Sequence, residues 1–201
     1  MDVQNSDLVF NVAQLLKEQV GATRKLALDT SSLQLEDQAS GSDGAGPMTA
    51  HDLLGNVKVT RITEGLLVQG DVGANVGLEC SRCLTQFSLP VEARLEEQFQ
   101  PTIDVLTGSP VHRLVGDDSD STFDIDNNHM MDLSEPVRQA ILVALPMKPL
   151  CREDCAGLCP ICGANLNEGP HECEVETVDH RWEGLRELRL EDFPAGDNSQ
   201  N

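Results

Sequence analysis

The residues best suited to chemistry are seven cysteines and one histidine near them: Cys80, Cys83, Cys151, Cys155, Cys159, Cys162, His171 and Cys173. Cys80-Ser-Arg-Cys83 and Cys159-Pro-Ile-Cys162-Gly163 share the Cys-x2-Cys gap. That spacing lets both thiolates reach one tetrahedral ion while N–H groups of the turn support the sulfurs. Eight such donors fill two tetrahedral zinc sites and leave no open position for a substrate, so the expected chemistry is structural. Two partitions are open. Cys80 and Cys83 join Cys151 and Cys155, leaving Cys159, Cys162, His171 and Cys173 for a second ion; or the two Cys-x2-Cys turns pair as a ribbon and the others form the second set. In both, the segment around residues 80–83 is tied to residues beyond 150, closing a loop of about 70 residues whose closure entropy otherwise favours fraying.

Other readings of the cysteines are weaker. An odd count fits a disulfide framework poorly, and clustered thiols in a reducing compartment are metal-binding or redox-active. A thioredoxin-like pair needs a strand that presents the motif at a helix N-terminus, and no strand pattern precedes Cys159. Iron, in a rubredoxin-like or cluster site, uses the same ligands. His51, His112, His129 and His180 have no nucleophile or carboxylate at a catalytic spacing and read as surface residues. There is no phosphate-cradling glycine motif and no HExxH.

The elements that must position these ligands are mainly strands. Val57, Val59 and Ile62 lead into a Thr-Glu-Gly turn; Leu66 to Leu78 then runs into Cys80, and after Cys83 the chain returns through Phe87, Leu89, Val91, Ala93, Leu95 and Phe99 with period-two alternation. The first Cys pair therefore sits between two strands. Before it, the spacing predicts a short strand at Leu8 to Phe10, a helix through Val12, Leu15 and Leu16 capped by Asn11, and a strand from Arg24 to Leu35. Residues 37–47, DQASGSDGAGP, have little to bury and read as a loop. Residues 101–135 read as an acidic loop, with Asp117, Asp118, Asp120, Asp124, Asp126 and Asp132. A helix follows from Leu133 to Leu145, with Asp132 or Ser134 as cap, Pro136 in its first turn, and Val137, Ala140, Ile141, Ala144 and Leu145 on one face. Trp182, Leu185, Leu188 and Leu190 mark a final short helix.

The fold class expected is α+β: a curved antiparallel β-sheet with few helices, and a zinc-stapled C-terminal lobe. The organisation expected is a β-rich core over residues 1–150, a cysteine-rich metal-binding lobe over 151–190 packed on the 80–83 hairpin, and a disordered tail over 191–201. The 201 residues carry 34 acids against 14 bases, for a net charge of -20. Such a chain is on average repelled by nucleic acid, so RNA contact needs a local basic patch or a protein partner. Arg82, Lys148 and Arg152 lie near the cysteines and are the candidates for that contact. No run of apolar residues approaches membrane-helix length, and the start lacks signal-peptide order, so the protein is expected in the cytoplasm.

The segments VGLECSRCLTQFSLPV, EPVRQAILVALPMKPLCREDCAGLCPICGANLN, HEC and DHRWEGLREL together resemble the YceD family, bacterial and plastid proteins described as large ribosomal RNA subunit accumulation proteins. The resemblance spans about residues 8 to 190, and its motif carries over to Cys80, Cys83, Cys151, Cys155, Cys159 and Cys162. Where many members have Cys-x-Cys, this chain has His171-Glu-Cys173, and imidazole can replace thiolate on zinc. The resemblance implies a non-enzymatic role in large-subunit rRNA accumulation and assembly, with a ribosomal protein, a precursor particle or structured rRNA as partner and no small-molecule substrate. The rivals are a redox-regulated zinc switch, which needs accessible low-pKa thiols, and an rRNA-processing enzyme, which needs an open metal position or a carboxylate cluster such as Asp117, Asp118 and Asp120.

Overall fold

Alternation of apolar and polar side chains through residues 65–101 is what a sheet with one buried face requires, and two long strands form there. The computed structural model describes residues 6–35, 48–111 and 122–173. The expected loop at 37–47, the aspartates at 117, 118 and 120, His112, His180, the helix around Trp182 and the tail lie outside the described residues. The chain divides into two compact units, Met1–Cys155 and Ala156–Asn201. In the first, after a 3-10 turn at Ser6–Leu8, the elements are β1 (Val9–Asn11), α1 (Ala13–Lys17), β2 (Thr23–Gln34), β3 (Thr49–Ile62), β4 (Gly65–Glu79), β5 (Gln86–Pro101), β6 (Thr122–Ile125), β7 (Met130–Asp132) and α2 (Ser134–Ala144).

The strands make one curled sheet in the order β1-β7-β6-β5-β4-β3-β2. The expectation of an antiparallel sheet is corrected here. β2 to β5 form an antiparallel meander, but β5 and β6 run parallel, with Phe99 opposite Phe123, so the sheet is mixed. A parallel neighbour needs a crossover rather than a hairpin, which a two-residue turn after β5 could not provide. The stretch expected to be loop throughout 101–135 thus holds two short strands. Its acids do not oppose them: Asp124 is exposed, and the Asp126 carboxylate accepts the N–H groups of Asn128 (2.8 Å) and Met130 (2.7 Å), closing the turn between β6 and β7.

Leu66, Val68, Val72, Ala74, Val76 and Leu78 of β4 face the core with Val91, Ala93, Leu95 and Phe99 of β5. Phe99 and Phe123 stack with ring centroids 5.4 Å apart. The α2 helix covers this face with Pro136, Val137 and Ile141, whereas Ala144, expected on the apolar face, is exposed. Neither helix is capped from its own cap position. The N–H of Ala13 donates to Asn11 Oδ1 (3.1 Å) and that of Ser134 to Asp132 Oδ1 (2.8 Å). Gly65 starts β4 because a Cβ there would lie 1.9 Å from the Phe99 carbonyl oxygen. No helix among the described residues is long and apolar enough to cross a membrane.

The second unit, in its described part, has a bridge between Leu158 and Asn165 and is held by side-chain and turn contacts. The N–H of Ala156 donates to Asn167 Oδ1 (2.9 Å), and that of Leu166 to the Gly157 carbonyl (2.9 Å).

Candidate metal centres

Inward parity in β4 runs 66, 68, 72, 74, 76, 78, and the next residue in that series is Cys80, which has no exposed surface. The strand that builds the core therefore delivers the first sulfur to its edge. The chain then turns tightly: Leu84 N–H donates to the Cys80 carbonyl (3.0 Å) and Cys80 N–H to that of Thr85 (3.0 Å). Pro149, just past α2, is drawn in when its carbonyl accepts the Ser81 N–H (2.9 Å), which brings Cys151 and Cys155 alongside. The Cys80 and Cys155 sulfurs lie 3.8 Å apart, and those of Cys83 and Cys151 lie 3.6 Å apart. Four sulfurs bound to zinc at about 2.3 Å in a tetrahedron are about 3.8 Å from one another, so this donor set fits the ion.

The second cluster repeats the turn within its own unit. Gly163 N–H donates to the Cys159 carbonyl (2.9 Å) and Cys159 N–H to that of Ala164 (2.8 Å), the same pair of bonds as in the first turn. Cys162 Sγ lies 3.0 Å from His171 Nε2. Ligand atoms of Cys159, Cys162, His171 and Cys173 all fall within 4.8 Å of one another, as do those of Cys80, Cys83, Cys151 and Cys155. Of the two partitions open in the sequence, the geometry brings together the first. The clusters differ in access. Three of the four residues in the first are buried, while in the second only Cys159 is buried and Cys162 and His171 are exposed.

Each cluster polarises its thiols. Burial pushes Cys80 up, but backbone N–H groups of Cys151, Cys83 and Arg82 aimed at its sulfur outweigh burial and bring it down to about 6. Cys159 falls to about 6 chiefly through the N–H groups of Cys162 and Ile161. Cys151 is pushed to about 12 by burial and then by the neighbouring sulfurs, and Cys173 to about 11 by Cys162 and then by burial. Without metal, each site thus holds one sulfur ionised at neutral pH and one that keeps its proton. The lowered pair contributes folding stability that is complete above the ordinary value of 9.0 and is lost as pH falls through about 6. Zinc must displace the retained protons, so its affinity rises with pH. Competition with a chromogenic chelator should show binding weakened at least about a hundredfold between pH 8 and pH 6, one proton per site; a flat profile would contradict ligation by these thiols.

One residue in the first turn is strained. Gly163 takes φ 76 after Cys162, and Leu84 takes φ 57 at the matching place after Cys83. The left-handed region suits glycine and costs a leucine about 1–2 kcal/mol. Leu84 is 57% exposed and returns little of that by burial. Leu84→Gly is expected to raise stability by about 0.5–1 kcal/mol, the relieved strain less the added freedom of glycine in the unfolded chain. Urea unfolding measures it, and a lower midpoint would show that the side chain is held by contacts.

Of the bases expected to meet RNA, Arg82 turns inward, its Nη1 donating to the Cys155 carbonyl (3.0 Å), and so fastens the loop that carries a ligand. Arg152 Nε lies 3.5 Å from Asp154 Oδ1, and Lys148 is exposed. Sequence reasoning missed Thr85, whose Oγ1 lies 3.4 Å from Cys83 Sγ; its hydroxyl is the foremost cause of a lowered Cys83 thiol. A small hydroxylated residue two places after a ligand is the signal that could have found it. His51 is exposed on β3; His129 is half-buried at φ 59 and gives its carbonyl to the Val12 N–H (3.0 Å).

Comparison with known proteins completes the site. The family model described as "Large ribosomal RNA subunit accumulation protein YceD" matches residues 68–189, which excludes the N-terminal stretch but includes every candidate ligand. An uncharacterized protein of Mycobacterium tuberculosis is 35% identical over 133 residues, 66% of this chain and 60% of the relative. One of Mycobacterium leprae is 30% identical over 139 residues, 69% of this chain and 60% of the relative. The maize protein named "Large ribosomal RNA subunit accumulation protein YCED homolog 1, chloroplastic" is 33% identical over 149 residues, 63% of this chain and 49% of its own. The matched stretch thus spans about 60% of the mycobacterial relatives. No solved structure matches the chain. With a family model covering more than half of its residues, the chain belongs to the YceD family.

Proposed function

We propose that this protein is a non-enzymatic factor supporting accumulation of large-subunit ribosomal RNA and assembly of the large ribosomal subunit in the cytoplasm, with zinc as structural metal in both cysteine clusters. The observation that carries the metal part is the convergence of Cys80 and Cys83 with Cys151 and Cys155 at sulfur spacings that zinc–thiolate geometry requires. Membership of the family and the printed name of the maize relative support the ribosomal part. Closed four-donor sites without a position for substrate suit scaffolding rather than catalysis. The partner is a ribosomal protein, a precursor particle or structured rRNA. Depleting the protein and resolving ribosomal particles on sucrose gradients tests the reading. Accumulation of large-subunit precursors with loss of mature large-subunit rRNA is the result expected, and an unchanged profile would sink it.

A second reading, oxidative release of metal, is favoured by the exposure of Cys162 beside Cys159. Peroxide would take two electrons from the two thiolates, joining them as a disulfide and freeing zinc. Zinc retained under mild peroxide would remove this reading.

A further inference from the structure

In a chain with 34 acids and 14 bases, every lysine or arginine has carboxylates to choose from, so bases left without one are informative. Several bases are committed. Arg61 donates to the carbonyls of Ile62 (2.6 Å) and Gly65 (2.7 Å) at the β3–β4 turn, Arg82 to that of Cys155, and Arg138 to Glu135 and to the Leu35 carbonyl. Arg94 and Arg152 lie within 4.0 Å of acids. Among the described residues Lys25 and Lys58 make no such bond. They are direct cross-strand partners on β2 and β3, both exposed, on the sheet face turned away from the core. Directly opposed side chains sit about 5 Å apart at Cβ, and like charges there are destabilising.

Among the described residues no carboxylate stands directly opposite this pair; Asp71, diagonal to Lys58 in the next row, lies opposite Arg94. The row continues from Lys58 to Gln69 and then Glu96, but Gln69 Nε2 donates to Glu96 (3.1 Å), and Arg94 also approaches that acid (3.9 Å). Flanking rows carry Thr23, Thr60 and Leu67 on one side and Ala27, Asn56 and Asp71 on the other. Arg24, exposed on the same edge strand, lies opposite the buried Val59 and so projects from the other face of the sheet, leaving the two lysines as the charges of this row. The acids nearest in the chain, Asp29 to Lys25 and Asp52 and Glu64 to Lys58, form no ion pair with these lysines. The row itself has no large exposed apolar side chain of the kind that anchors a protein interface; Leu54, 59% exposed, lies two rows along β3, opposite Asp29. Paired point charges on an open strand edge, with mostly uncharged neighbours, suit evenly spaced phosphates.

We propose that Lys25 and Lys58 bind the phosphate backbone of structured large-subunit ribosomal RNA. This rests on the ribosomal reading above and gives it a contact surface. The pair's repulsion is retained because a polyanion neutralises it, and the rest of the acidic surface keeps RNA from binding elsewhere.

The test compares the zinc-loaded full chain with its Lys25→Gln/Lys58→Gln double variant, using labelled in vitro transcripts of large-subunit rRNA domains. Binding to the best transcript should weaken about tenfold or more at moderate salt, and the slope of log affinity against log salt should fall by about 1.5–2. Lys17→Gln should change neither. Because the substitution removes a repulsion, the melting temperature should hold or rise; this separates lost contact from lost fold. Equal affinity of the double variant, or wild-type protein that binds no transcript, overturns the proposal. In depleted cells, a double variant that restores mature large subunits also overturns it while leaving the ribosomal reading intact. If depletion itself leaves the subunits unchanged, the ribosomal reading fails instead. Capture of a nuclease-resistant protein through the same lysines would assign the patch to an acidic protein and overturn the RNA assignment.

Discussion

Serine in place of Cys155 is expected to lower the stability of the zinc-loaded protein by about 4 kcal/mol, the entropy lost when a cross-link across a loop of this length is released. Cys83 and Cys151 stand 68 residues apart in sequence, and the metal is the cross-link between the end of the β4–β5 hairpin and the segment after α2. Cys155 is 2% exposed, so the serine hydroxyl would also be buried where a thiolate was neutralised by metal. Urea unfolding with and without a strong chelator reads both effects. Chelated wild type and the variant should unfold at nearly the same midpoint, because each has lost the same bond. Cys162→Ser should leave that transition in place, since its cluster belongs to the other unit, and should be seen as faster proteolysis after residue 156. A Cys155→Ser protein as stable as the wild type would mean that no metal joins these segments.

Phe99→Ala should cost about 3–5 kcal/mol, the range for deleting a buried phenylalanine from a packed core. Phe99 is fully buried, stacks on Phe123, and sits in the parallel register of β5 and β6. Its loss therefore opens a cavity and removes the contact that anchors a four-residue strand to the meander. Thermal unfolding should fall by roughly 6–20 °C for a chain of this size. Amide exchange gives the finer check: Phe123 and Ile125 should lose protection before Val72 or Ala74 does. Uniform loss across the sheet would show that β6 is held by something other than this stack.

The meander was legible because β4 and β5 bury one face along their whole length, which imposes strict alternation on the residues. Cys80 shares its parity with Leu78, so even the ligand's inward direction was written in the pattern. The helix after Leu133 was legible for the same reason, with period 3.6 in place of two. β6 and β7 were not, because strands of four and three residues carry no period, and Asp124 and Asp126 count as loop charges until the turn they build is seen. Nor can periodicity distinguish a parallel neighbour from an antiparallel one, so the mixed sheet was hidden. The choice between ligand partitions depends on Ser81 N–H meeting the Pro149 carbonyl, a contact between distant segments that spacing does not encode. Lys25 and Lys58 became a pair only through the register of β2 on β3.

The place of β1 has a consequence for synthesis. Val9 pairs with Asp132 and Asn11 with Met130, the latter two 119 residues apart, whereas β2 to β5 form pairs between immediate successors. A chain made from its N-terminus completes the meander while β1 still waits for a mate that has yet to be translated. At about 5–20 residues per second that wait lasts several seconds or more. During it, Leu8, Val12, Leu15 and Leu16, all buried in the finished protein, must be shielded by a chaperone or by the nascent meander itself.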